Sequence, residues 1–131
     1  MLTKEQLERL IAARQEESVV LFANEKFDGA VYLIGYAVEL ALKRIILLNG
    51  FPETDQEFKV YADSKTHNLE VLLKLAGKDE LREDDAFSPD WDTVRKYWTS
   101  ECRYRKIGMV TSEAAKMTMD AVSRIIERLN A

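Results

Sequence analysis

An all-α domain, one bundle of four or five helices, is the fold class that three features of the sequence predict. Apolar residues recur at spacings of three and four through most of the chain, the period of a helix with a buried face. Only five Gly and two Pro are spread over 131 residues, too few for the many turns of a β fold. Hydrophobic residues at 47% and charged residues at 32% give the balance of a globular chain able to bury a core without disulfides or metal. The expected organisation is a single domain over residues 1–131, with no internal repeat and no low-complexity segment.

Thr3 and Gln6 have the spacing of a capping box, which predicts a first helix running to about Asn24. Leu7, Leu10, Ile11, Val20, Leu21 and Phe22 supply its apolar stripe. Asp28 or a neighbour caps a second helix that extends to Leu48, where Asn49-Gly50 and Pro52 stop it. This helix is apolar almost all round, through Val31, Leu33, Ile34, Val38, Leu40, Leu42, Ile45 and Ile46, and so belongs at the centre of the bundle.

Phe51 to Lys65 is a polar connection carrying Phe51, Phe58 and Tyr61, with room for a short irregular helix. A short third helix starts near Thr66, buries Leu69, Leu72, Leu73, Leu75 and Ala76, and ends at Gly77. After a charged connection from Lys78 to Asp85, Ser88-Pro89-Asp90 signals a fourth helix, with Ser88 as the cap. Trp91, Val94, Tyr97 and Trp98 face the core from it, and it runs toward Arg103. Thr111 or Ser112 caps a last helix whose apolar face is Ala115, Met119, Val122, Ile125, Ile126 and Leu129.

A net charge of −4 argues against holding nucleic acid by bulk charge, since that needs a surplus of cations to displace counterions, but it leaves room for a local basic patch. The lone Cys102 has no internal disulfide partner, and the charged start of the chain lacks the apolar run of a signal peptide, so a cytoplasmic protein is expected. Ala30 to Leu48 is the most apolar stretch, yet Glu39, Lys43 and Arg44 inside it would be costly in a bilayer, which makes it a core helix. One His and one Cys, far apart, have no metal-ligand spacing, and there is no Gly-rich phosphate loop; neither metal nor cofactor is expected.

The second helix carries the most informative polar group. Tyr36, Glu39 and Lys43 lie three and four residues apart and share one face of a buried helix. In one reading Glu39 and Lys43 simply pair, with the lysine head reaching solvent. In the other, Glu39 faces a groove and bonds an arginine from another helix. The segment Glu101-Cys102-Arg103-Tyr104-Arg105-Lys106 offers such a donor at the end of the fourth helix. Its cations suit a helix C-terminus, and its arginines beside Tyr104 equally suit phosphate and base recognition. His67, the only histidine, stands at the start of the third helix, as a capping or packing residue or as a proton carrier if a partner lies nearby. Cys102 beside Arg103 reads as an inert or semi-buried thiol, since a nucleophile would also need a base and an oxyanion site.

Gly35-Tyr36-Ala37-Val38-Glu39-Leu40-Ala41-Leu42-Lys43, then Thr66-His67-Asn68-Leu69 with Leu72-Leu73, then Trp98 and Arg103-Tyr104, occur in an order that resembles prokaryotic HEPN-domain proteins. The resemblance spans roughly Ala30 to Tyr104. It implies an up-and-down four-helix core, a homodimer, a place in toxin–antitoxin or defence systems, and a nucleotidyltransferase-type partner protein. Many members are metal-independent ribonucleases whose signature is an Arg, four to six intervening residues, and a His, placed in a cleft shared across the dimer. In this chain the corresponding positions after Arg103 are Gly108, Met109 and Val110, and after Arg105 they are Val110, Thr111 and Ser112.

The resemblance with this departure implies a non-catalytic or divergent member, binding RNA, a nucleotide or a partner protein around Tyr36, Glu39, Lys43, Arg103, Tyr104 and Arg105. A ribonuclease with a rearranged centre is the alternative, with Arg103 stabilising phosphorane charge and His67 or Tyr104 moving the proton. A purely structural interaction protein is a third.

Overall fold

The computed structural model of the chain describes residues 3–49, 67–99, 104 and 106–130, and among these it is all-α, with five helices and no strand. They are α1 (Lys4–Ala23), α2 (Phe27–Leu48), α3 (Leu69–Leu75), α4 (Phe87–Tyr97) and α5 (Ser112–Leu129), with a 3-10 turn over Asp79–Glu83. Helix α2 packs against α1, α3 and α5, and α5 in turn covers α4. Val31, Val38, Leu42 and Ile46 are buried along α2, which therefore forms the centre that its all-round apolar sequence predicts.

Local chemistry sets several ends as expected. Thr3 Oγ1 accepts from the Gln6 N–H at 3.1 Å while Gln6 Oε1 accepts from the Thr3 N–H at 2.8 Å, the reciprocal box that starts α1. Thr111 caps α5 by accepting from the Ala114 N–H at 3.0 Å. Gly77, at φ +72°, closes α3: its N–H donates to the Lys74 carbonyl and that of Lys78 to the Leu73 carbonyl, both at 3.0 Å. Its positive φ is a conformation that a side chain would strain.

Other boundaries differ from the sequence expectation. Helix α3 begins at Leu69 with Asn68 as its cap, the side-chain oxygen accepting from the N–H groups of Glu70 and Val71 at 3.0 and 3.3 Å, while the expected start near Thr66 lies outside the described residues. Helix α2 begins after Lys26 with no side-chain cap; Asp28 instead reaches across the fold to accept from the N–H of Gly108 at 2.7 Å and of Val110 at 3.1 Å. Within α1, Val20 is exposed, while Leu7, Ile11 and Ser18 occupy the buried face. The seven-residue step from Ile11 puts Ser18 there, and its hydroxyl satisfies itself on the Ala30 carbonyl at 2.8 Å. Helix α4 ends at Tyr97 rather than running toward Arg103, for a reason that belongs to the site below.

Helix α4 starts at Phe87, with Asp84 in place of Ser88 as the capping side chain: Asp84 Oδ1 accepts from the N–H groups of Ala86 and Phe87 at 2.9 and 3.0 Å. Those two backbone donors, Phe87 first, hold the Asp84 carboxyl below its ordinary value, and the paired Arg128 adds to the effect. A carboxyl whose value falls on folding contributes stability that is complete above the ordinary value of 3.8 and is lost as pH drops through the folded one. Asp84→Asn is therefore expected to lower the melting temperature at neutral pH and to narrow the gap from the native chain as pH falls below that value. A melting series from neutral pH into this acid range checks it; a gap that widens on acidification would contradict the capping role.

Candidate functional site

Tyr32, Tyr36, Glu39 and Lys43 form one stripe along α2, as spacings of three and four require. The start of α3 brings His67 to this stripe, and the end of α4 brings Trp98. Glu39 is 3% exposed and takes a donor on each oxygen: Oε2 accepts from Lys43 Nζ at 3.1 Å, and Oε1 lies 2.9 Å from His67 Nδ1. Lys43, whose ammonium one of the two readings carries out to solvent, is itself only 7% exposed. Burial of Glu39 explains this, because a desolvated carboxylate recovers most by holding a cation directly against it.

His67 differs from its two partners. Its side chain is 45% exposed. A carboxylate can only accept, so the hydrogen of a neutral His67 ring sits on Nδ1, leaving the Nε2 lone pair without a partner among the described residues. The partner that acid–base use of His67 would require is thus supplied by Glu39, 28 residues earlier in the chain. Sequence spacing places Glu39 on a face but says nothing of what covers that face.

Three aromatic rings wall the site. Tyr36 meets His67 edge-on at 6.3 Å between centroids, Trp98 at 5.3 Å and Tyr32 at 5.1 Å, and the two phenol oxygens lie 3.5 Å apart. Trp98 is 2% exposed, and its indole N–H donates to the Tyr32 carbonyl at 2.9 Å. Gly35 makes room for it: a Cβ there would stand 2.1 Å from the indole ring. Helix α4 stops at Tyr97 because Trp98 takes an extended backbone, φ −121° and ψ 130°, as its indole enters this notch. The part played by Tyr32 and Gly35 is not part of the sequence expectation; a lone glycine inside an apolar helix is the signal that points to a close approach.

Of the other residues singled out from sequence, Tyr104 is described and 75% exposed. Arg103, Arg105 and Cys102 lie outside the described residues. Among the described residues, no three His, Cys, Asp or Glu side chains gather as a metal site would require, and no helix is long and apolar enough to cross a membrane. The site can fix an imidazole on a buried acid and offer its second nitrogen outward, beside aromatic surface. Compared with models of protein families, residues 12–131 match the one described as the HEPN domain. No curated protein and no solved structure matches the chain.

Proposed function

Because the chain belongs to the HEPN-domain family, we propose that it is a binding module for RNA or a nucleotide, with His67 as the ligand-facing group of the α2 site. The observation that carries this reading is the split in exposure between Glu39 at 3% and the His67 side chain at 45%, two residues joined by one 2.9 Å contact. A histidine needed only for packing would bury its ring, whereas this one is oriented from beneath and presented from above. Protonated, it donates to a phosphate oxygen; neutral, its Nε2 accepts from a ribose or base donor. Arg103, Tyr104 and Arg105 follow Trp98 in sequence and supply the guanidinium and aromatic chemistry that phosphate and base recognition use.

The family is associated with ribonuclease activity in toxin–antitoxin and defence systems, and the Glu39–His67 pair favours a second reading, a divergent metal-independent ribonuclease. There His67 Nε2 takes the proton of the 2′-hydroxyl as its oxygen attacks the adjacent phosphorus, the P–O5′ bond breaks to leave a 2′,3′-cyclic phosphate, the departing 5′-oxygen takes up a proton, and Arg103 stabilises the negative charge developing on the phosphoryl oxygens. Against it stands the want of a histidine at Gly108, Met109 or Val110, the positions separated from Arg103 by four to six intervening residues. HEPN domains commonly dimerise and partner nucleotidyltransferases, which supports extending the proposal to a homodimer with a nucleotidyltransferase-type partner.

Both readings meet in one experiment: native protein, Arg103→Ala and His67→Ala, each mixed with structured RNAs in EDTA and followed for binding and for cleavage. Binding weakened about tenfold by either substitution, with the fold intact, is expected, since a charge-assisted hydrogen bond is worth 1.5–3 kcal/mol. Cleavage lost in both variants would move the assignment to the ribonuclease. Affinity equal in all three proteins would discard this site.

A further inference from the structure

A second polar cluster lies at the same end of α3. Glu70, three residues beyond His67, is gripped from three directions: by Arg95 Nη1 at 2.9 Å, by Arg82 Nη1 at 3.1 Å, and by the indole N–H of the buried Trp91, which donates at 2.9 Å. Among the ion pairs of the described residues, only this one sets a single carboxylate against two guanidinium groups; Asp90 with Arg124 and Asp84 with Arg128 are one to one. These three side chains by themselves sum to one positive charge, beside Asp79, Glu80 and Glu83 on the turn that carries Arg82.

We propose that Arg82 and Arg95 form a phosphate subsite at the same end of α3 as His67, which makes the ligand a single-stranded RNA spanning both groups rather than a mononucleotide. The proposal rests on the RNA-binding reading of the α2 site and names its substrate class. Each guanidinium has five N–H donors and spends a single Nη1 contact on Glu70, so most of each fork remains to be used. The side chains of Arg82 and Arg95 are 54% and 40% exposed, within reach of a ligand, and come from separate elements, the 3-10 turn and α4. Glu70 draws them to one point and, through Trp91, fixes that point to the core. A phosphodiester bridging the free edges gains two charge-assisted contacts in a geometry already assembled. An acidic protein has no diffuse positive field with which to hold RNA, so its affinity has to come from such local convergences.

The test is binding of a short, labelled single-stranded RNA of mixed sequence across a salt series, with adenosine 5′-monophosphate as the one-phosphate probe. Arg82→Gln with Arg95→Gln is expected to weaken RNA binding by tenfold or more and to flatten the plot of log affinity against log salt by roughly 0.7, the value for one neutralised single-strand phosphate. Affinity for the monophosphate should not change. Glu70→Gln keeps an oxygen for Trp91 while removing the negative charge, and is expected to tighten RNA binding several-fold at low salt, a gain that a misfolded variant cannot mimic. RNA affinity and salt slope unchanged in the double variant, or no gain in Glu70→Gln, would overturn the subsite while leaving the His67 site standing. A native protein that binds no RNA would overturn both.

Discussion

Replacing Glu39 with alanine should lower the free energy of unfolding by about 3–5 kcal/mol, because it strands the buried Lys43 ammonium without its carboxylate. That is a large share of the 5–15 kcal/mol that holds an ordinary domain folded. The loss should be mostly electrostatic rather than a matter of volume, and a second substitution separates the two. In Glu39→Ala with Lys43→Met both charges go, and desolvation no longer works against the fold; the double variant should be more stable than Glu39→Ala alone. Urea unfolding of the native chain, Glu39→Ala, Lys43→Met and the double variant completes the cycle. If Glu39→Ala shifts stability by less than about 1 kcal/mol, the range of a solvent-screened surface pair, the buried Glu39–Lys43 pair is not what holds this face of α2.

The second large effect concerns a residue with no side chain. Helix propensity alone says that Gly35→Ala should stabilise the middle of α2 by about 1 kcal/mol. The notch occupied by Trp98 reverses the sign. A methyl group 2.1 Å from the indole cannot be absorbed by small adjustments, so the ring must leave its pocket, giving up its bond to the Tyr32 carbonyl and its burial. Destabilisation of about 3 kcal/mol is expected, at the upper end of what overpacking costs. The emission of Trp98 should shift to the red as it enters water, and Trp98→Phe as background identifies the source of the change. Gly35→Ala more stable than the native chain, with unchanged emission, would show that the indole does not need this opening.

The contrast between these residues explains which parts of the architecture could be read from sequence. The capping box of Thr3 and Gln6, the Thr111 cap and the Gly77 stop are local devices, complete within a few consecutive residues, and the chain forms them where the sequence says. The all-round apolar surface of α2 likewise fixes its central place, whatever packs on it. Asp28 and Asp84 are different. Each stands near the start of a helix, where an acidic residue reads as a cap; Asp84 caps α4 from three residues before its first turn, and Asp28 spends both oxygens on a loop far along the chain. Nothing in the neighbouring residues separates those uses. The candidate site divides in the same way. Periodicity gathers Tyr36, Glu39 and Lys43 on one face, but His67 as the group above Glu39, and Arg82 with Arg95 around Glu70, arise from packing between elements.

Sequence separation also orders the events of folding. The hairpin of α1 and α2 is built from neighbours in the chain, and its turn closes within a few residues, so it can form at little cost in loop entropy. Trp98 reaches Tyr32 across 66 positions, and Gly108 reaches Asp28 across 80. Contacts of that span come together only when the rest of the chain has nearly found its place. The wall of the site is thus expected to be among the last parts made and the first lost. Partial unfolding would silence the site while α1 and α2 remain paired, so intact helix content is a poor guide to a working molecule.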